Sequence, residues 1–416
     1  MVTLMAMVKP PEHIEKVLRR LAESGNDAYL VGGCVRDSII GRPVHDWDVA
    51  SPAAPGEVES LFRKTVLTGE KYGTVTVVLP ECSVEVTTFR SESGYLDGRR
   101  PSVVGFEASL EEDLSRRDFT MNAIAVSVSG VLVDPFCGAE DIENRIIRCV
   151  GAPDDRFAED ALRMFRAYRF SAELGFDIEP ATLSSIGRNA DKAALISAER
   201  VRMELEKTLL SQKPEISGEM IRTGLLSGHV PTSGGLADNL SGLADSLGRI
   251  AVLPAEAELR WCAFCSLLKD HGLISSVGAF LRGMRLDSNT IKICKSALSV
   301  GLRPGGADIP DRAGIKKLLS KHGADAVRCA AAVYDALYGA PRSVSALRRV
   351  EEVLRSGECF SLNTLAVNGS DLMALGCPPG WGIGKTLSAL LDHVIGRPED
   401  NTREALVKIV EESRKM

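Results

Sequence analysis

Asp46 and Asp48, in the segment His45-Asp46-Trp47-Asp48-Val49, are the pair of side chains in this sequence best spaced to do chemistry. Along a strand successive side chains point to opposite faces, so positions 46 and 48 share one face. Two carboxylates on one face can hold one or two Mg²⁺ ions beside a phosphate. Just upstream, the apolar run from Ala28 to Val31 meets Gly32-Gly33 and then Arg36-Asp37. Two glycines after a strand let the backbone approach a triphosphate closely. A helix that starts there points its N–H groups and the positive end of its dipole at the phosphates. Each half is common by itself: Gly-Gly occurs in many turns, and Asp-x-Asp usually marks a solvated face. The 13-residue step from Gly33 to Asp46, with Arg36 between, makes the combination specific. Arg36 has two readings here, a phosphate ligand or an ion pair with Asp37 or Glu57, and its place beside a glycine turn favours phosphate. Arg42 is a second candidate phosphate ligand.

The elements that must position these residues are legible from patterning. Residues 11–24 carry helical periodicity and open with Pro11. The apolar strand, Gly-Gly turn and helix follow, and further strands rich in β-branched residues are expected at 74–79, 83–89, 122–128 and 131–134. Glu85 lies on the second of these, where it is either a third active-site acid or a solvent-facing strand residue. Residues 1–150 therefore read as a mixed α/β domain. After Gly151 strand signals nearly vanish, and helices are expected at 157–174, 197–211, 256–270, 313–321, 324–338 and 343–356. Joints fall in the Gly/Ser-rich stretch 224–242 and in 301–310. Between the strands, residues 91–114 read as a polar, exposed loop.

Composition narrows the class. With 416 residues the chain should form several parts. Its 44% hydrophobic and 25% charged content is ordinary for a globular protein. Only 5% of residues are aromatic, which disfavours a stacking platform for single-stranded nucleic acid. A net charge of −6 excludes an overall basic coat but not a local basic strip. The ten cysteines have no regular spacing; Cys262 and Cys265 read as buried helix residues rather than a zinc site, and free thiols in this number suggest a reducing, cytoplasmic setting. The N-terminal segment has the wrong charge order for a signal peptide, and no apolar run reaches the ~18 residues of a membrane span.

The combined pattern at 28–51, with Ser115-Arg116-Arg117-Asp118-Phe119 and the segment 157–176, resembles the polymerase β nucleotidyltransferase superfamily, and more narrowly the class II tRNA nucleotidyltransferase and poly(A) polymerase family. The resemblance implies an elongated, multidomain chain: an α/β head at 1–150, then an all-α neck at 151–215, body at 216–342 and tail at 343–416. It implies that Asp46 and Asp48 bind the metal and that Glu85 completes the acidic cluster. Gly33, Arg36 and Arg117 would contact the incoming triphosphate, and Asp118 would accept a hydrogen bond from a ribose hydroxyl, supported by Asn122. The motif Glu159-Asp160-x-x-Arg163 would replace a nucleic acid template. Three apart on one helix, Asp160 and Arg163 would be neighbours on a face. A carboxylate accepts from the exocyclic amine of cytosine or adenine while a guanidinium donates to the adjacent ring nitrogen. Uracil and guanine present the opposite polarity and leave buried groups unpaired. Glu159 would orient Arg163. Arg166 and Arg169 match nucleotide-contact positions, although on an ideal helix one of them is equally placed to hold tRNA backbone or a carboxylate. Glu199 and Arg200, opening a later helix, would brace the neck.

The implied activity is addition of C, C and A to the 3′ end of tRNA from CTP and ATP with Mg²⁺, the body and tail gripping the acceptor and T arms by shape and backbone charge. Through the same resemblance, the loop 91–114 implies a full CCA or A-adding activity. Narrower activities of the same family (A-adding, CC-adding, poly(A) synthesis) remain open on the motifs, as does a non-catalytic RNA-binding protein on the same scaffold. Gly382-Ile383-Gly384-Lys385-Thr386 is not a phosphate-binding P-loop, because Pro379 stands where that pattern needs its first glycine. It more resembles a tail segment that approaches tRNA, with Lys385 facing phosphate.

Overall fold

The computed structural model describes residues 8–69, 73–95, 101–106, 108–228, 242–302, 310–339 and 346–413. They divide into two compact units, one of residues 1–208 and 216–228, the other of 209–215 and 229–416.

The first unit opens with α1 (Glu12–Glu23), whose Ile14, Val17, Leu18 and Leu21 recur at helical spacing and are buried. Then follow β1 (Tyr29–Val31), α2 (Gly33–Ile39), β2 (Trp47–Ser51), α3 (Pro55–Leu61), β3 (Thr65–Gly69), β4 (Thr74–Val78) and β5 (Ser83–Thr88). After a ribbon of β6 (Ser91–Tyr95) and β7 (Pro101–Gly105) come α4 (Leu110–Ser115), β8 (Ala125–Ser127), β9 (Leu132–Val133) and α5 (Gly138–Glu143). Seven strands form one sheet in the order β3-β4-β5-β2-β1-β8-β9. The β2–β5 pair is parallel and its neighbours are antiparallel, so the sheet is mixed. Val75, Val77, Val84 and Val86 alternate inward, and Val31, Ala50, Phe89, Leu114 and Ala125 close the core over the strands.

The sheet gives way to β10 (Ile146–Ile147), α6 (Pro153–Glu159), α7 (Leu162–Leu174), β11 (Asp177–Ile178), α8 (Pro180–Asn189), α9 (Ala198–Leu210) and α10 (Ile216–Arg222). Pro153 sits at the first turn of α6, where its missing N–H costs nothing, and Gly175 ends α7 in the left-handed conformation at φ 72°.

Two expectations are corrected here. The single helix expected over 157–174 is two helices, broken at Asp160 and Ala161. Asp160 is extended (φ −144°, ψ 104°), and its carboxylate accepts the Leu162 N–H at 3.0 Å, which caps the start of α7. The polar stretch 91–114 is not simply a loop. Residues 91–95 pair with 101–105 as an antiparallel ribbon, and α4 follows behind a Ser109–Glu112 capping box. The pair Arg99-Arg100 of that stretch lies outside the described residues, as do most of the joints expected at 224–242 and 301–310.

The second unit is helical. Helices Ala257–Asp270, Arg312–His322 and Ala324–Tyr338 fall within a residue of expectation, and Ala346–Arg355 within three. Trp261, Phe264 and Phe280 pack against one another in its core. Cys262 and Cys265 are buried on the first of these helices. Gly382 to Thr386 lie inside the helix Trp381–Gly396 rather than in a strand-to-helix turn. No helix among the described residues is long and apolar enough to cross a membrane.

Candidate active site

A cavity of about 710 Å³ opens in the first unit between the β1–α2 turn, the end of the loop before β2, the segment 116–122, and helices α7 and α9. Its size suits a nucleotide. Gly33, Arg36, Asp46, Asp48, Arg117, Asp118, Asp160, Arg163, Arg166 and Arg169 all line it, as does Asn122. Glu85 is exposed on β5, directly across the strand pair from Asp48, and is not itself part of the lining. Arg42 lies elsewhere, donating to the Glu173 carbonyl at 3.2 Å.

The acidic edge is built by β2. Asp48 is on the strand, Asp46 lies in the loop immediately before it, and both side chains line the cavity. Burial, followed by the neighbouring carboxylates of Glu85 and Asp46, pushes the Asp48 pKa up to about 6, with Arg117 partly offsetting them. Such crowding is what a bound cation relieves, and the donor set is all oxygen, which suits a hard divalent ion. No three His, Cys, Asp or Glu side chains among the described residues are already gathered as a metal cluster. An ion of the Mg²⁺ type needs no such cage, because it takes one or two carboxylates and completes its shell with water and substrate phosphates. The residues present therefore fit a metal shared with a phosphorylated substrate.

Gly32 explains how the basic edge reaches the acidic one. Its φ is +77°, and a Cβ there would lie 3.1 Å from Arg117 Nη1 and 3.8 Å from Asp48 Oδ2. Arg117 is aimed by Asp113, which accepts from its Nη2 at 3.1 Å and also pairs with Arg116 at 2.5 Å. Burial alone would raise the Asp113 pKa, but Arg117 and Arg116 outweigh it and hold the carboxyl below its ordinary value. Asp113 escaped the sequence reading; its spacing of three and four from Arg116 and Arg117 on a capped helix is the signal that would have found it.

Asp118 anchors a second network. It accepts from Arg166 at 2.7 Å, from Asn122 Nδ2 at 3.0 Å and from the Phe119 N–H at 2.8 Å. Burial opposes its charge, yet Arg166, Asn122 and Arg163 together hold its carboxyl well below the usual carboxylate range. Asn122 Oδ1 in turn accepts from Arg36 Nη1 at 2.7 Å, while Arg36 also pairs with Asp37 at 2.9 Å. The ion pair of Arg36 with Asp37 is formed, and the side chain also lines the cavity. Phe170, not singled out from sequence, also lines the cavity, with the guanidinium carbons of Arg36 and Arg166 over its ring at 5.0 and 5.2 Å.

Asp160 and Arg163 are brought together, though not as helical neighbours. Arg163 is held by Glu159 at 2.6 Å and by the Arg116 carbonyl at 2.8 Å. Asp160 is held by Arg200 from α9, at 2.8 and 3.3 Å. Arg169 is buried against Glu204 and Glu173, so its guanidinium is largely committed within the protein. Arg200 and Lys207, seven apart on α9, both line the cavity. Neither was expected there, because a Glu-Arg pair opening a helix reads as a brace. Eight cationic side chains line the cavity against five carboxylates, although the whole chain carries −6. That local excess attracts a polyanion.

The mixed sheet with its strand-borne carboxylates and Arg-rich cavity has the organisation of a nucleotidyltransferase head. Residues 28–148 match the family described as the poly A polymerase head domain, and residues 175–233 match a probable RNA and SrmB-binding site of polymerase A. An enzyme of this class depends on a divalent metal. The CCA-adding enzyme of Limosilactobacillus fermentum is 38% identical over 400 residues, covering 95% of this chain and 96% of its own. That of Geobacillus kaustophilus is 39% identical over 405 residues, covering 96% of each. The crystal structure of the Bacillus stearothermophilus CCA-adding enzyme in complex with CTP superposes with a TM-score of 0.80 at 34% identity, over 98% of this chain and 99% of that one. A Thermotoga maritima CCA-adding enzyme complexed with tRNA shares the fold, with a TM-score of 0.66 at 20% identity. The chain belongs to the family of CCA-adding enzymes.

Proposed function

We propose that this protein adds C, C and A in turn to the 3′ end of tRNA, taking CTP and ATP as substrates and releasing pyrophosphate. In each step the terminal 3′-oxygen of the RNA forms a bond to the α-phosphorus of the nucleotide, the bond from that phosphorus to the bridging oxygen breaks, and pyrophosphate departs. Asp46 and Asp48 would hold Mg²⁺, with Glu85 supporting them from β5. Bound there, Mg²⁺ supplies charge neutralisation for the triphosphate and a lower pKa for the attacking hydroxyl. Arg36 and Arg117 hold the triphosphate, and Gly33 lets it approach. Asp118 accepts from the ribose hydroxyl. Asp160 accepts the exocyclic amine of cytosine or adenine, and Arg163 donates to the adjacent ring nitrogen. Arg166 fixes Asp118, and Arg169 braces the cavity wall through Glu204.

The observation that carries the reading is that one cavity holds both the Asp46–Asp48 pair and the Asp160–Arg163 pair, so reacting phosphate and selected base can be held together. We assign the head to 1–150, the base-reading neck to 151–215, the body to 216–342 and a tRNA-gripping tail to 343–416. A cytoplasmic setting fits the ten cysteines, all of which are free.

Primer extension tests the activity, on tRNA transcripts ending before the CCA, at C and at CC, with CTP and ATP separately and together. Extension of all three to a finished CCA end is expected. Extension of the CC-ended transcript alone, with ATP alone, would make the protein an A-adding enzyme instead.

A further inference from the structure

Asp160 stands in the break between α6 and α7, where its backbone leaves the helical conformation, although its N–H donates to the Arg156 carbonyl at 3.3 Å and its carbonyl accepts the Arg163 N–H at 3.0 Å. Its carboxylate nevertheless has one defined setting. Oδ1 accepts the Leu162 N–H at 3.0 Å and Arg200 Nη1 at 3.3 Å, and Oδ2 accepts Arg200 Nη2 at 2.8 Å. A carboxylate has about four acceptor positions, so roughly one remains for a base amine. The guanidinium of Arg200 grips with two nitrogens from a helix 40 residues further along the chain. A planar fork of this kind fixes the plane of its partner as well as its charge.

We propose that Arg200 is a positioning residue for base choice: by clamping the Asp160 carboxylate it keeps an acceptor, and only an acceptor, in front of the base. The inference rests on Asp160 and Arg163 reading the base. Selection against uracil and guanine works only if an acceptor stands opposite their carbonyl oxygen and cannot move aside. An unclamped Asp160 could rotate away and let water donate to that oxygen, which removes the penalty for the wrong base. Arg163 needs no such help from α9, because Glu159 and the carbonyls of Arg116 and Arg156 already hold it. A lysine at 200 would supply charge without a plane and should restore discrimination only in part.

The test is single-nucleotide addition with Arg200→Met, Arg200→Lys, Asp160→Ala and the double variant Asp160→Ala/Arg200→Met. CTP and UTP are compared on the transcript that ends before the CCA, and ATP and GTP on the CC-ended transcript. Arg200→Met should raise the UTP-to-CTP ratio of kcat/KM by about 10-fold, the effect of one hydrogen bond of ordinary strength. Arg200→Lys should fall between Arg200→Met and the wild type. In the Asp160→Ala background Arg200→Met should add nothing, because its effect runs through that carboxylate. An unchanged ratio in Arg200→Met, or a full additional effect in the double variant, would overturn the proposal. Equal loss for every nucleotide would also overturn it and make Arg200 a direct phosphate ligand. If Asp160→Ala itself leaves base choice intact, the base-reading assignment fails; if Asp160→Ala relaxes it and Arg200→Met does not, only the role of Arg200 falls. Melting temperatures separate these outcomes from misfolding, and Arg200→Lys, which keeps the charge, carries the test if Arg200→Met does not fold.

Discussion

The two units treat buried charge in opposite ways. In the first, arginines and carboxylates converge on a cavity and are only partly satisfied by each other: Arg36, Arg117 and Arg163 each have protein partners yet still line open space. In the second, a buried cation is closed off. Arg260 is 3% exposed and donates to the carbonyls of Leu209, Ser211, Leu253 and Pro254, with no carboxylate partner among its bonds. Lys316, 2% exposed, pairs with Glu358 at 2.9 Å. The same side-chain types thus line an open cavity in one place and close the fold in the other. What separates the two uses is spare hydrogen-bonding capacity facing a cavity, not charge or burial.

The comparison is tested most severely at Asp46 and Asp48. Replacing both with alanine should lower nucleotide incorporation by roughly a thousandfold or more, because metal-centred charge stabilisation contributes several kcal/mol. Stability should not fall with it. The Asp48 pKa is raised on folding to about 6, so its ionised form subtracts from stability above that pH. Asp48→Asn should therefore melt at or above the wild-type temperature at pH 7 while losing activity. An Asp48→Asn protein that melted well below wild type would place Asp48 with the structural charges of the second unit.

Arg260 should behave in the reverse sense. Arg260→Met leaves several buried carbonyls unpaired, at ~1–3 kcal/mol for each one that finds no new partner, and a total destabilisation of about 3 kcal/mol is expected. Urea unfolding read by circular dichroism measures it. The ratio of UTP to CTP incorporation, taken on folded protein, should stay at the wild-type value. A changed ratio would show that closed-off charge in one unit reaches the chemistry in the other.

The residues around the cavity were legible to different degrees, for physical reasons. Asp46 and Asp48 were readable because strand alternation is a strict period and needs no partner to be known. Gly32 was readable because a glycine pair ends an apolar strand 13 to 14 residues ahead of Asp46, a combination more specific than either half. The break at Asp160 was not, since no Pro or Gly marks it. It depends on a side chain that caps the next helix and meets Arg200 from far along the chain. The same long reach hid Arg200 and Lys207, whose helix looks like any salt-bridged neck helix until α7 is placed beside it. The ribbon of 91–95 and 101–105 was missed because its ladder is made by backbone groups, and the stretch reads as a polar loop. Local periods therefore found the strand-borne carboxylates that line the cavity, while the groups that hold Asp160 in place came from contacts distant in sequence.

The smallest expected effect lies in the second unit, at Glu358. Hydrogen bonds from Arg312 and Lys316 outweigh burial and pull its pKa down from 4.5 to about 2. A carboxyl with a lowered folded pKa contributes stability that is complete above its unfolded pKa and is lost as pH falls through the folded one. The window is therefore about pH 4.5 down to about 2. Glu358 is about one-fifth exposed, and screening limits the contribution to about 1 kcal/mol. Glu358→Gln keeps the shape and an acceptor but cannot titrate. Its melting temperature should sit slightly below wild type at pH 7, and the gap should close as the pH approaches 2. A gap that stayed constant across that range would mean that the charge of Glu358 adds nothing and that packing around Lys316 holds this corner of the unit. A gap that widened on acidification would have the wrong sign for a carboxylate stabilised by its cations, and would remove Glu358 from the set of closed, structural charges.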